Sequence, residues 1–359
     1  MALAPLQGSE VPLSDRYDVA LLDLDGVVYV GADAVPGVPA LIARAGDVGL
    51  RFGYVTNNAA RSPHQVGEHL RALGLPATDD QVITSAQAAS RLLHEALPAE
   101  SPVLITGTPA LAAEVEAVGL RAVWSADDEP LGVVQGYSPQ LSWAMLAEAC
   151  VAVRSGALWV ATNTDSTLPS LRGPLPGNGS FVQVVAQTTG AVPLVAGKPE
   201  PAMHAECVRR TGAQRPIVVG DRLDTDIEGA HRVEVASLLV FSGLATPADL
   251  LAARADQRPT YVAPDLGGIL TPHPAVDRHA GAARCGRWQV IHHDDALALA
   301  STAGSGSQSA SYGSALTDDE CNALRALAVL AWEVDCAHTV AADEPAASVL
   351  DRLGLAGGD

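Results

Sequence analysis

The chain has 359 residues, 48% of them hydrophobic, and a formal net charge of −19. It is long enough to bury more than one core, and it offers no basic field for nucleic acid or another long polyanion. Five scattered cysteines (Cys150, Cys207, Cys285, Cys321 and Cys336), an odd number with no Cys-x-x-Cys, argue against a disulfide framework and a zinc site.

Residues 1–14 read as a leader. Met1 to Glu10 carry no basic stretch followed by an apolar one, and no apolar run is long enough to span a membrane, so a cytosolic protein is expected. Val19-Ala20-Leu21-Leu22 then has the unbroken apolar character of a buried parallel strand, and it stops abruptly at Asp23-Leu24-Asp25-Gly26. Period-2 alternation puts both aspartates on one side. Carboxylates that close repel one another and are costly to bury unpaired. A divalent cation relieves this, and hard oxygen donors favour Mg²⁺. The carboxyl ends of parallel strands are also where open α/β sheets bind ligands. Read alone, the segment fits a polar turn equally well.

About thirty residues lead from Gly26 to Thr56, room for one crossover helix and nothing more. The strand Arg51 to Val55 ends in Thr56-Asn57-Asn58, whose hydroxyl, amides and turn N–H groups suit phosphate oxygens. They also suit an Asx-type turn before a helix starting near Ser62-Pro63. Ser85 to Leu97 reads as a helix that still belongs to the core. Thr56 and Lys198 are separated by 141 residues, far too many for a connection. Pro102 to Gly107 opens a new strand pattern, followed by a helix, Gly132-Val133-Val134-Gln135-Gly136, another helix and Leu158 to Thr162. That alternation predicts an inserted α/β domain over 98–192. Within it Asn163 and Asp165 follow a strand, and residues 173–180 form a Gly/Pro-rich loop.

Gly197-Lys198-Pro199-Glu200 enters the next helix. Of the 22 basic residues only Lys198 is a lysine, in a chain whose Ala-, Gly- and Arg-rich composition suggests drift from lysine to arginine codons. A site that needs a compact ammonium rather than a planar guanidinium would resist that drift. Pro216 to Gly220 is a further apolar strand, ending in Gly220-Asp221 and followed by Asp224, Thr225 and Asp226. Asp221 can complete a metal site, with Asp226 orienting it from outside. Farther on, His292-His293-Asp294-Asp295 has the residue types of a second metal site but reads more readily as a solvated turn, with Trp288 to Ile291 and Leu297 to Leu299 as paired short strands. Residues 301–314 are a Gly/Ser-rich flexible segment. Thr317 to Glu320 is a capping box opening a helix, and a shorter helix runs from Asp343 to Gly354.

Taken in order, Asp23-Leu24-Asp25-Gly26, Thr56-Asn57-Asn58, Lys198 and Gly220-Asp221 with Thr225-Asp226 resemble the four motifs of the haloacid dehalogenase superfamily of phosphatases. Residues 15–275 are similar to its p-nitrophenylphosphatase-like branch, through Asp23 to Tyr29, Val55 to Asn58, Ala161 to Asp165, Pro176 to Ser180 and Gly220 to Asp226. The chain looks especially similar to the actinobacterial glycerol 3-phosphate phosphatases, which carry an appended C-terminal segment.

The resemblance implies an α/β fold: a Rossmann-like parallel-sheet core (15–97 and 193–275), an inserted α/β cap (98–192) that selects substrate, and a C-terminal appendage (276–359). It implies Asp23 as the nucleophile, through an aspartyl-phosphate, and Asp25 as general acid and base. Mg²⁺ would bind Asp23, the main-chain carbonyl of Asp25 and Asp221, with Thr225 and Asp226 behind them. Gly26, Thr56, Asn57, Asn58 and Lys198 would hold the phosphoryl group, and Asn163 and Asp165 the leaving group. Leu168 stands where pyridoxal phosphate phosphatases have a histidine, which favours a small aliphatic substrate. Glycerol 3-phosphate is the first choice, with 2-phosphoglycolate or a nucleotide monophosphate as alternatives. A phospho-ligand binding protein without catalysis is the reading from another class. The branch implies a homodimer through the cap. The appendage resembles a remnant acetyltransferase-like module; it lacks an Arg/Gln-x-x-Gly-x-Gly/Ala loop for acyl-CoA, so a packing role is expected in place of a second activity.

Overall fold

Four apolar runs, Val19–Asp23, Pro216–Gly220, Ala236–Val240 and Tyr261–Ala263, become parallel neighbours in that spatial order. All but the first residue of Pro216–Gly220 and the last of Val19–Asp23 are buried in them, as strands covered on both faces require. The computed structural model describes residues 4–168, 172–302 and 316–356. The chain forms two compact units, one of Met1–Phe52, Leu73–Leu75 and Ala213–Asp359, the other of Gly53–Ala72 and Pro76–Gly212.

In the first unit the parallel strands form a Rossmann-like α/β core. Val38–Asp47 is the crossover helix, but the connection carries more than a helix: Tyr29–Val30 and Asp33–Ala34 form a small antiparallel hairpin before it. The C-terminal segment adds a five-stranded sheet. Asp277–His279, Ala282–Cys285, Trp288–His293 and Ala296–Ser301 run antiparallel in turn, and Thr339–Ala341 lies parallel to the last. His292 and His293 end one strand and do not join the turn expected over 292–295; Asp294-Asp295 alone turns to the next, and the His293 and Asp294 side chains are solvated. Thr317 caps the helix Asp318–Val334 through a reciprocal bond pair with Glu320. That helix and the new sheet share one apolar core with the parallel strands, in which Trp288, Leu299, Leu324 and Leu327 meet Leu250 and Val262. The Arg325 guanidinium donates to Val262 O at 2.5 Å, and the Trp332 indole N–H to Leu250 O at 3.0 Å. The Gly/Ser-rich stretch of 301–314 lies, beyond Thr302, outside the described residues.

In the second unit the strand Arg51–Thr56, which begins in the first, pairs in parallel with Val82–Thr84. Thr84 caps the helix Ser85–Ala96 through a capping box with Gln87. A five-stranded parallel sheet follows, in the order Leu194–Val195, Leu158–Ala161, Gly132–Gln135, Pro102–Thr106, Arg121–Val123. Leu194–Val195 thus lies past residue 192, where the sequence pattern of the inserted domain stops; two residues are too few to carry a strand signal. Leu104, Val133, Trp159 and Val182 fill the core beneath that sheet. Among the described residues no helix is long and apolar enough to cross a membrane.

Candidate active site

The carboxyl ends of Val19–Asp23 and Pro216–Gly220 are adjacent, with Leu22 opposite Val219, so Asp23 and Asp221 emerge side by side. The chain after Asp221 makes a wide turn, Leu223–Ile227, and returns Asp226 to the same place. One carboxylate oxygen from each of Asp23, Asp221 and Asp226 lies within 4.8 Å of the others. Asp221 and Asp226 are each only 1% exposed. Asp226, which spacing had put in a supporting position, therefore stands with the other two. Asp25 is exposed and follows the strand, which ends at Asp23, so strand alternation does not govern where its side chain points.

The surrounding backbone fits this cluster closely. Leu244 N–H donates to Asp221 Oδ2 at 2.7 Å, and Arg222 N–H to Asp226 Oδ2 at 3.3 Å. A Cβ at Gly26 would stand 2.7 Å from Asp221 Cγ, and one at Gly243 2.5 Å from it, so glycine is required on both sides of that carboxylate. Gly26 also has φ +89, a left-handed conformation that glycine adopts without strain, and Ser242 Oγ donates to its carbonyl at 2.8 Å. Ser242 and Gly243 carry no sequence signal of this role. Three clustered carboxylates, two of them buried, are a hard-oxygen donor set that suits Mg²⁺ or a similar divalent ion.

The second unit gathers the other motif residues. Thr56 is buried, its Oγ accepting from Asn58 N–H at 3.1 Å, and Asn58 Oδ1 accepts from Ala60 N–H at 2.8 Å, which fixes the turn after the strand. The Asn57 side chain donates to Lys198 O at 3.1 Å and to Asp165 Oδ2 at 3.2 Å, and accepts from Lys198 N–H at 2.8 Å. Asn163 donates to Asn57 O at 2.7 Å. A Cβ at Gly197 would be 2.6 Å from both Asn57 Oδ1 and Thr162 O, so only glycine lets the chain pass there. Asn57, Asn163, Asp165 and Lys198 are thus brought together. Leu168 is half-buried in the short strand Thr167–Leu168, paired with Leu175–Pro176. The expected loop 173–180 is correspondingly shorter, since the helix Asn178–Thr189 begins inside it.

Lys198 is buried, and its charge reaches His204 on the following helix. Burial first, and then the Lys198 ammonium, lowers the His204 pKa to about 4, so that imidazole is neutral near pH 7. Burial pushes the Cys207 thiol up to about 12, against the opposing pull of Lys198.

Residues 20–121 match the family description haloacid dehalogenase-like hydrolase, residues 195–269 match HAD-hydrolase-like, and residues 285–355 match GCN5-related N-acetyltransferase like domain. The chain is 41% identical over 350 residues to the D-glycerol 3-phosphate phosphatase of Mycobacterium tuberculosis, an alignment covering 96% of each. It is 36% identical over 253 residues to an acid sugar phosphatase of Staphylococcus aureus, covering 70% of this chain and 96% of that one. The crystal structure of the M. tuberculosis glycerol phosphate phosphatase in complex with magnesium superimposes with a TM-score of 0.86 at 40% identity, covering 96% of this chain and 99% of that one.

Proposed function

Starting from the fact that the chain belongs to the haloacid dehalogenase-like hydrolases, we propose that it hydrolyses glycerol 3-phosphate with the help of Mg²⁺. The enzyme is a phosphoric monoester hydrolase of that family. The observation that carries the reading is the Asp23, Asp221 and Asp226 cluster, whose oxygens lie within 4.8 Å of one another at the end of a parallel strand pair. The choice of substrate rests on the likeness to a D-glycerol 3-phosphate phosphatase over 96% of both chains, C-terminal segment included.

In this reading Asp23 takes the phosphoryl group, and Asp25, exposed beside it in sequence, protonates the leaving alkoxide and then deprotonates the attacking water. Asp23 and Asp221, with the main-chain carbonyl of Asp25, hold the metal, and Asp226 joins them; Thr225 supports that turn. Bound Mg²⁺ supplies positive charge for the phosphoryl oxygens. Thr56, Gly26 and the N–H groups of Asn57 and Asn58 bind those oxygens, with the Lys198 ammonium. Residues 98–192 act as the cap, and Asn163, Asp165 and Leu168 contact the leaving group. The C-terminal appendage has a packing role and no second reaction, a reading supported by the apolar core that its described residues Trp288 and Leu324 share with the parallel strands. The protein works in the cytoplasm on small metabolites, not nucleic acid, and as a homodimer through the cap, where Trp143 is 84% exposed.

The test is phosphate release by purified protein from both enantiomers of glycerol 3-phosphate, from 2-phosphoglycolate and from a nucleotide monophosphate, with Mg²⁺ and with chelator. Preferred turnover of one glycerol 3-phosphate enantiomer, lost in chelator, upholds the proposal; preference for another ester reassigns the substrate. Asp23→Asn should abolish turnover, and Asp25→Asn should slow it by roughly 10²- to 10⁴-fold.

A further inference from the structure

Three asparagine side chains form a relay that ends on the main chain of Lys198. Asn178, 1% exposed at the start of the helix Asn178–Thr189, donates from Nδ2 to Asn163 O at 2.7 Å and to Gln135 O at 3.3 Å. It therefore clamps the ends of two neighbouring parallel strands, Gly132–Gln135 and Leu158–Ala161. Asn163, 5% exposed, donates to Asn57 O at 2.7 Å, while its Oδ1 accepts from Asp165 N–H at 3.2 Å. Asn57 then brackets Lys198, accepting from its N–H and donating to its C=O. At each step the amide orientation is fixed by its partners, because every Nδ2 faces a main-chain oxygen.

Helix capping does not explain Asn178. A cap needs a side-chain acceptor for the free N–H groups of the first turn. Asn178 spends its donors outward, its Oδ1 takes no hydrogen bond among the described residues, and the helix start has no side-chain cap.

We propose that Asn178 is a positioning residue for the reaction: it fixes the main chain at Asn163 and, through Asn163 and Asn57, sets the main chain from which Lys198 presents its ammonium. The catalytic consequence rests on the phosphatase reading above; the relay does not.

Lys198 is the only lysine of the chain, so protein grown with ¹⁵N-lysine gives a single main-chain amide signal that reports this residue without any assay. Asn178→Ala removes the donors. Asn178→Asp keeps the volume but turns an oxygen toward Asn163 O, and it carries the test if the alanine variant does not fold. The expected result in both is a displaced Lys198 amide signal and hydrogen exchange faster by about tenfold, the scale of losing one buried hydrogen bond. Loss of kcat/KM by about tenfold or more should accompany it. In an Asn163→Ala background Asn178→Ala should add less than about twofold, because the path is already cut. An unchanged Lys198 amide in folded Asn178 variants, or fully additive losses in the double variant, overturns the proposal even if the parent is an active phosphatase. A responsive amide in a parent that releases no phosphate from any ester would instead remove the functional reading and the catalytic role with it, leaving only the relay.

Discussion

The side chain of Asn57 holds both main-chain groups of Lys198, accepting from the N–H at 2.8 Å and donating to the C=O at 3.1 Å across 141 positions of sequence. A primary amide that pairs in both directions acts on the lysine backbone as a neighbouring strand would. The position of the ammonium is therefore set in part by a residue that carries no charge.

Asn57→Ala removes both bonds and should lower kcat/KM by on the order of 10²-fold, the scale of misplacing a catalytic group by about 1 Å. Asn57→Asp keeps the acceptor for Lys198 N–H but turns a carboxylate oxygen toward Lys198 O, and it sets a second negative charge beside Asp165 Oδ2, 3.2 Å from the present amide. It should therefore be at least as damaging as alanine at neutral pH. An aspartate variant with near-parental kcat/KM would show that one of the two bonds is enough.

Asp226 invites a prediction with opposite signs in two conditions. Without metal, the three carboxylates within 4.8 Å repel, and two of them are buried. Asp226→Asn removes one charge and should raise the thermal midpoint in chelator, because native-state repulsion falls. With Mg²⁺ the same change removes a donor or its support, so the Mg²⁺ concentration for half-maximal activity should rise by roughly 10- to 100-fold. Thermal scans in chelator and in excess Mg²⁺, with a Mg²⁺ titration of activity, check both signs.

Much of this site was legible because its signals are local. Apolar runs ending in Asp23 and Asp221 announce strand ends, and the two carboxylates meet there. The capping box at Thr317 depends on neighbours in sequence and formed as read, whereas the turn read over residues 292–295 narrowed to Asp294-Asp295, with His292 and His293 in the strand before it. What escaped depends on distant chain. Gly243 matters because Asp221, 22 positions earlier, lies against it, and nothing near Gly243 encodes that contact. Asn178 looks like a turn residue until its donors are found on Asn163 and Gln135. The hairpin Tyr29–Val30 with Asp33–Ala34 and the strand Leu194–Val195 have two residues per strand, below the length at which alternation is readable.

Two buried histidines contribute to the acid limb of stability. His204 and His273 are each lowered from 6.5 to about 4, by burial first and then by the charge of Lys198 and of Arg325 respectively. Both are neutral when folded and take up a proton on unfolding below pH 6.5. Their contribution is therefore fully present above 6.5 and is lost as pH falls towards 4, each by about 1.4 kcal/mol per pH unit within that window. His64 has the opposite sign, its pKa raised by Asp79 and Glu68, but it is exposed and its effect is screened. At about pH 5 to 5.5 unfolding should take up close to two protons at the buried pair. His273→Gln should reduce that to about one, read from the pH dependence of denaturant unfolding. An unchanged pH slope in His273→Gln would mean that His273 is already protonated in the folded chain.

Lys198→Arg separates charge from shape. Asn57 holds only the main chain of residue 198, so the substitution leaves that pairing intact and changes the side chain alone. If positive charge were sufficient, the variant would be nearly silent, and nothing would have kept the one lysine among 22 basic residues. Lys198 is 7% exposed, and a guanidinium is longer and planar where the ammonium is compact. The arginine donors should then miss the phosphoryl oxygens, with a loss in kcat/KM of on the order of 10²-fold or more. Lys198→Ala should be at least as damaging, because no cation remains. The fold should survive both changes, and the His204 pKa should rise in Lys198→Ala, since the ammonium that helps to depress it is gone. The deciding measurement is kcat/KM of Lys198→Arg at saturating Mg²⁺. A value within about threefold of the parent, less than about 1 kcal/mol in the barrier, would make charge alone sufficient and the lone lysine an accident of composition.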